Sequence, residues 1–146
     1  MLNEVEKKII LSGWQQAIKD KKALGMDVFM TLFEMFPQHQ ELFRDFKGKS
    51  RAELEKMPKM RAHALRVVNT LDGAIQSLDD MEVCASSLEL IGASHKSHHL
   101  SAKHFEDLNA ALAVVFERRL GKAFVDNKAV WVKLLQGIIP VIQRGL

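Results

Sequence analysis

The sequence predicts an all-α protein, and three observations carry that prediction. Apolar residues recur at a period near 3.6 along most of the 146 residues, and only three prolines interrupt them. No segment sustains the alternation of β-branched and polar residues that a half-buried strand requires. One domain, residues 1–146, is expected from the length, with enough chain to enclose a core.

The bulk composition narrows the function classes. An apolar fraction of 47% and a charged fraction of 27% are those of a globular chain. The formal charge of +3 is spread over separate groups, Lys19–Lys22, Lys47–Arg51 and Arg118–Lys122, without interleaved aromatic residues. That pattern argues against a nucleic-acid partner. The longest apolar run, Ala110–Phe116, is too short to cross a membrane, and the N-terminal MLNEVEKK lacks a secretory core. The single cysteine, Cys84, permits no internal disulfide and reads as an inert helical residue, so the cytoplasm is the expected compartment.

In chain order, Asn3 can cap a first helix, with Glu6 completing a capping box and Val5, Ile9, Ile10, Trp14 and Ile18 forming its buried stripe. A second helix runs from about Ala23 to Phe36 and stops before Pro37, which disfavours helical geometry in its predecessor. Gly25 inside it costs about 1 kcal/mol relative to alanine, so close approach of another helix is expected there. Pro37 opens a short helical turn through Phe43, and a charged loop follows with one small helix capped by Ser50 and Glu53.

From Pro58 to Leu78, Met60, Ala64, Val67, Val68, Leu71, Ala74, Ile75 and Leu78 share one side, with His63 flanking them. Asp79 and Glu82 are placed to cap the next helix, on which Leu88, Ile91 and His95 make one stripe ending in an imidazole. Ser101 caps a helix through Phe105, Leu108, Leu112, Val115 and Phe116 to Gly121. A last helix spans about Phe124 to Gln143, with Trp131, Leu134, Leu135, Ile138 and Ile139 inward and Pro140 kinking or fraying its end.

Two histidines stand out, His63 and His95, each at the edge of an apolar face on a long helix. A lone histidine at such an edge is more often packed than a ligand, but two facing walls make a slot. A neutral imidazole is the commonest protein ligand for iron, copper and zinc. The carbonyl of Ile91 and the hydroxyl of Ser94 lie where either can accept the His95 Nδ1–H bond, leaving Nε2 for metal. Phe29, Phe43, Phe46, Val67, Ile91, Leu100, Phe105 and Leu108 surround the pair. So much apolar surface with so few polar groups suits a flat iron cofactor, haem. No Cys-x-x-Cys-His occurs, so the cofactor is expected to be non-covalent haem b. Arg66, His98 and His99 are candidates to face its propionates. His98, His99 and His104 could instead form a surface zinc site, but their positions diverge around a helix and they read as solvated.

The chain resembles the globins over its full length, most closely the intracellular single-domain globins of invertebrates. The resemblance rests on Trp14, GMDVFMTLFEMFP (Gly25–Pro37), LFRDF (Leu42–Phe46), RAHALRV (Arg61–Val67), LIGASH (Leu90–His95) and a phenylalanine, Phe105, ten residues after His95. It implies about eight helices in a three-over-three arrangement around a haem pocket. It further implies His95 as proximal iron ligand, Phe43 packed on the haem face, His63 as distal donor, and Val67 and Phe29 as walls of the gas pocket. Gly25 would face Ala64 where the second helix crosses the helix of His63. The family's tyrosine that ties the last helix to the proximal corner has no counterpart, because the chain contains no tyrosine.

The function so implied is reversible dioxygen binding for storage or transport, with carbon monoxide and nitric oxide as further ligands, by a monomer or homodimer. Two rivals stand beside it. One is haem enzymology, of peroxidase or nitric-oxide dioxygenase type. The other is a gas or redox sensor in which His63 itself binds the iron. The close seating of Ala64 on Gly25 favours a donor role for His63 and a five-coordinate ferrous state.

Overall fold

The computed structural model describes residues 2–98 and 100–146. Among the described residues eight α-helices carry the fold: α1 (Glu4–Ala17), α2 (Lys21–Met35), α3 (Arg51–Lys56), α4 (Pro58–Gln76), α5 (Met81–His95), α6 (Ala102–Leu120), α7 (Lys122–Val125) and α8 (Lys128–Gly145). Single 3₁₀ turns occupy Ile18–Asp20, Pro37–Leu42 and Lys96–His98, and no strand occurs among the described residues. The all-α expectation holds.

Local chemistry explains most of the boundaries. The Asn3 side chain accepts from the Glu6 backbone N–H at 2.8 Å while the Glu6 carboxylate takes the Asn3 N–H at 2.9 Å. Ser50 and Glu53 form the same box at the start of α3. Pro37 follows directly on Phe36, the C-cap of α2, and Pro58 opens α4, where its missing N–H is one that a first turn leaves unpaired anyway. Gly121 ends α6 with φ at +55°, a conformation in which a Cβ would be strained.

Four expectations are corrected. Val5 is 67% exposed, because the inward stripe of α1 begins a turn later, at Ile9 and Ile10. Asp80, rather than Asp79, caps α5 by accepting from the Val83 N–H at 3.2 Å. The last helix is two elements: a bend at Asp126 and Asn127 separates α7 from α8. Helix α8 also runs past Gln143, to Gly145, with Pro140 inside it.

Helix α5 packs on α8 and on α4, α2 on α4 and α6, and α6 on α8, so two crossed layers meet face to face. Their contact buries two apolar clusters. The larger holds Trp14, Leu112, Phe116, Phe124 and Trp131; the smaller holds Phe29, Phe33, Phe46, Met60 and Ala64. Each fully buried aromatic side chain contributes about 2–3 kcal/mol of gross transfer free energy. Trp14 also donates its indole N–H to Asp72 Oδ1 at 2.7 Å, clasping α1 to α4, and Lys21 meets the other oxygen at 3.2 Å. Burial would raise the Asp72 carboxyl, but hydrogen bonds from Trp14, Gln76 and Lys21 outweigh it and hold the group below its ordinary range.

Gly25 meets α4 as its mid-helix position requires. A Cβ there would stand 2.6 Å from the Ala64 carbonyl oxygen, so only glycine lets the two backbones approach. That contact seats the helix of His63 one residue from the histidine itself.

Candidate functional site

The two apolar clusters share an edge, and half-buried Leu108 packs against both. Half-buried Phe43 and Val67 pack against one cluster, and half-buried Ile91 and Leu100 against the other. His63 on α4 and His95 at the end of α5 are half-buried as well. Apolar side chains at the heart of a helical sandwich that remain partly uncovered offer surface to a flat, apolar guest.

His95 is oriented by its own helix. Its Nδ1 lies 2.7 Å from the Ile91 carbonyl oxygen and 3.1 Å from the Ser94 hydroxyl, which itself donates to the same carbonyl at 2.8 Å. A carbonyl only accepts, so Nδ1 carries the proton and Nε2 keeps its lone pair. The Phe105 ring stands edge-on to the imidazole with centroids 5.6 Å apart. The last carbonyls of α5 place the negative end of the helix dipole beside the ring, which favours electron donation by Nε2.

His63 has aromatic neighbours instead. Ring centroids of Phe29, Phe43 and Phe46 lie 4.9, 5.2 and 6.4 Å from its own. Burial lowers its pKa to about 4, with lesser contributions from the positive charges of Arg66 and His95. At neutral pH the ring is therefore uncharged. It offers one N–H and one lone pair in a surrounding of hydrocarbon.

Two imidazoles and a half-covered apolar lining fit haem. Among the described residues no group of three metal-ligating side chains converges, as a tetrahedral ion would need. Of the remaining candidates, Arg66, Ser94 and His98 are exposed, Phe29, Phe46 and Phe105 are buried, and His99 lies outside the described residues. Phe33 is a core residue, buried against Phe29 and Phe43. Buried Cys84 has its thiol pushed up by burial, as an inert residue should.

His104 corrects its reading as solvated. It is half-buried, and its Nδ1 accepts the Ser101 backbone N–H at 3.0 Å, capping α6. A second residue pair was absent from the sequence reading altogether. His39, in the 3₁₀ turn that leads to Phe43, is buried with its Nε2 2.9 Å from Asp107 Oδ2 on α6. Lys103 holds the other carboxylate oxygen at 2.7 Å. Burial would raise the Asp107 carboxyl, but the hydrogen bonds from Lys103 and His39 outweigh it and keep it ionised. The pair fastens the Phe43 corner to the helix carrying Phe105 and Leu108. The one signal was an aspartate four residues before Ala111, on the buried face of α6.

The depressed pKa of His63 has a consequence for the haem-free chain. Its folded pKa, about 4, lies below the unfolded value of 6.5, so between those values the unfolded chain binds the extra proton. Stability is expected to fall as pH drops from about 6.5 to about 4, and to lose no more from this group below that. The full linkage would be about 3 kcal/mol, and solvent at a half-buried ring reduces it to roughly 1–2 kcal/mol. Urea unfolding at several pH values checks this: His63→Leu should flatten that part of the acid slope, and an unchanged slope would refute the assignment.

Comparison with known proteins bears on the family and the fold. The Globin family model matches residues 26–142. A protein named globin from Dolabella auricularia is 27% identical over 144 residues, covering 99% of this chain and 98% of its own. Among solved structures, a hexacoordinated haem protein from an anhydrobiotic tardigrade superposes with a TM-score of 0.92 at 21% identity, covering 99% of this chain and 94% of that one. The hexa-coordinate haemoglobin of Drosophila melanogaster superposes with a TM-score of 0.88 at 23% identity, covering 97% and 93%. With the family model matched over most of its length and the fold shared from end to end, the chain belongs to the globin family.

Proposed function

We propose that this globin holds haem b between His95 and His63 and binds dioxygen reversibly, as a store or carrier working in the cytoplasm. Haem, when bound, supplies the iron that takes a diatomic ligand. The observation that carries the reading is the opposed chemistry of the two imidazoles. His95 has its Nδ1 proton committed to Ile91, which leaves Nε2 free to bind the iron that haem would supply. His63 is kept neutral by burial among phenylalanine rings and can donate its N–H to a polar ligand.

The other residues exclude water and fix orientation. Phe43, Phe46, Val67, Ile91, Leu100, Phe105 and Leu108 would cover the haem faces, with Phe29 closing the back of the gas pocket. Arg66 and His98, both exposed, would face the propionates. Phe29, Phe43 and Phe46 give the His63 ring an aromatic surrounding, and Arg66, a turn further along α4, is exposed. A carrier needs that dry arrangement, whereas peroxide cleavage calls for a charged group beside the iron.

A second reading makes His63 a sixth ligand and the protein a gas or redox sensor. It draws support from the hexacoordinate haem named for the tardigrade and Drosophila structures, and from His95 lying close enough to act electrostatically on His63. Against it stands the seat of α4, whose Ala64 backbone abuts Gly25 and resists an inward shift. The visible spectrum of the ferrous, ligand-free protein decides. One broad band is expected, for five-coordinate iron; two sharp bands would assign His63 to the iron.

A further inference from the structure

Both walls of the pocket are seated by glycine, and the seat beneath His95 is the closer one. Gly92, one turn before His95, is buried against α8. A Cβ placed on it would overlap the carbonyl oxygen of Ile142 and come within 3.1 Å of the Gly145 Cα. The contact is reciprocal: a Cβ on Gly145 would overlap the Glu89 carbonyl and stand 2.9 Å from the Ala93 backbone nitrogen. Two helices touch here backbone to backbone, and an ion pair between Arg144 and Glu89 at 3.1 Å lies beside the crossing. Glycine within a helix is disfavoured relative to alanine, so a tertiary contact has to explain these positions. Gly73 and Gly137, also helical, have nothing within 4 Å and show no such contact.

We propose that the reciprocal crossing of Gly92 and Gly145 positions His95 toward the haem iron, a role resting on the haem reading given above. The argument is mechanical. His95 Nδ1 is tied to the Ile91 carbonyl, and Ile91 immediately precedes Gly92, so the imidazole moves with this turn of α5. Position and tilt of that turn are set by what it rests on, and it rests on the backbone of α8. Both glycines are positioning residues; neither need touch the cofactor.

Gly92→Ala and Gly145→Ala test this, with Gly137→Ala in the same α8 as control. The readouts are the iron–histidine stretching band of the ferrous protein, recorded just after photolysis of its carbon monoxide complex, and the rate of haem transfer to an acceptor protein. Photolysis yields five-coordinate iron whichever role His63 has. Either glycine variant is expected to shift the band and to speed haem loss roughly tenfold or more, as when a supporting partner of a metal ligand is lost. Gly137→Ala should move neither. General destabilisation would lower the unfolding midpoint without moving the band of the folded fraction. Should Gly92→Ala fail to fold, Gly145→Ala, in the last residue of α8, still tests the crossing. Wild-type band and haem-loss rate in a folded glycine variant would overturn the proposal. A wild-type protein lacking any band that vanishes in His95→Gly would overturn the haem reading instead.

Discussion

His95→Gly is expected to fold and to lose its hold on haem, and to regain it when imidazole is supplied in solution. The fold should survive because the ring leaves no orphan behind it: the Ile91 carbonyl keeps the Ser94 hydroxyl as donor at 2.8 Å. Position 95 is also the last residue of α5, where glycine is tolerated. What is lost is the oriented Nε2. Removing a mere supporting partner costs a metal site roughly 10–100-fold in affinity, and removing the axial donor should cost more. Haem titration followed at the main absorption band measures this, with free imidazole entering the cavity the ring vacates. Native haem affinity together with an unchanged axial spectrum in His95→Gly would show that the iron is held elsewhere.

The second large effect is expected from His63→Leu. Dioxygen bound to ferrous haem draws negative charge, and a neutral imidazole N–H donates to it in a surrounding where Phe29 and Phe43 keep the dielectric low. A charge-assisted hydrogen bond of this kind is worth roughly 1.5–3 kcal/mol. Its loss should therefore speed dioxygen release about tenfold to a hundredfold. Carbon monoxide, which carries less charge when bound, should be released at nearly the original rate. Leucine is close in volume to the imidazole it replaces and meets the same aromatic rings, so the pocket keeps its shape. Flash photolysis and stopped-flow mixing give both rates. Equal acceleration for the two gases would mean the pocket had merely opened, and no change in dioxygen release would remove His63 from the donor role. If the variant turned a two-band ferrous spectrum into a one-band one, the ligand role would hold and the function would move towards sensing.

Local rules sufficed for much of the molecule. Capping boxes at Asn3 and Ser50, the stop before Pro37 and the start at Pro58 all involve partners within four residues, so the sequence contains the whole interaction. The same holds for the His95 ring: its partners Ile91 and Ser94 precede it on the same helix, at four residues and one. The close approach at Gly25 was also legible, since a mid-helix glycine signals a contact and the family resemblance supplied Ala64 as the partner.

What the tertiary structure alone decided involves partners far apart in the chain. His39 meets Asp107 across 68 positions, and neither residue's neighbours in sequence announce the pairing. Gly92 was passed over because its partner, the backbone of Ile142 and Gly145, appears only when α5 crosses α8. Val5 follows the apolar period and yet faces solvent, because a periodic pattern names a face but not where the neighbouring helix begins to cover it. Helical hydrogen bonds and caps act over a single turn and are written in adjacent letters of the sequence. Crossing points depend on how whole helical surfaces interlock, and in this protein it is those crossings that seat the helices carrying the two histidines.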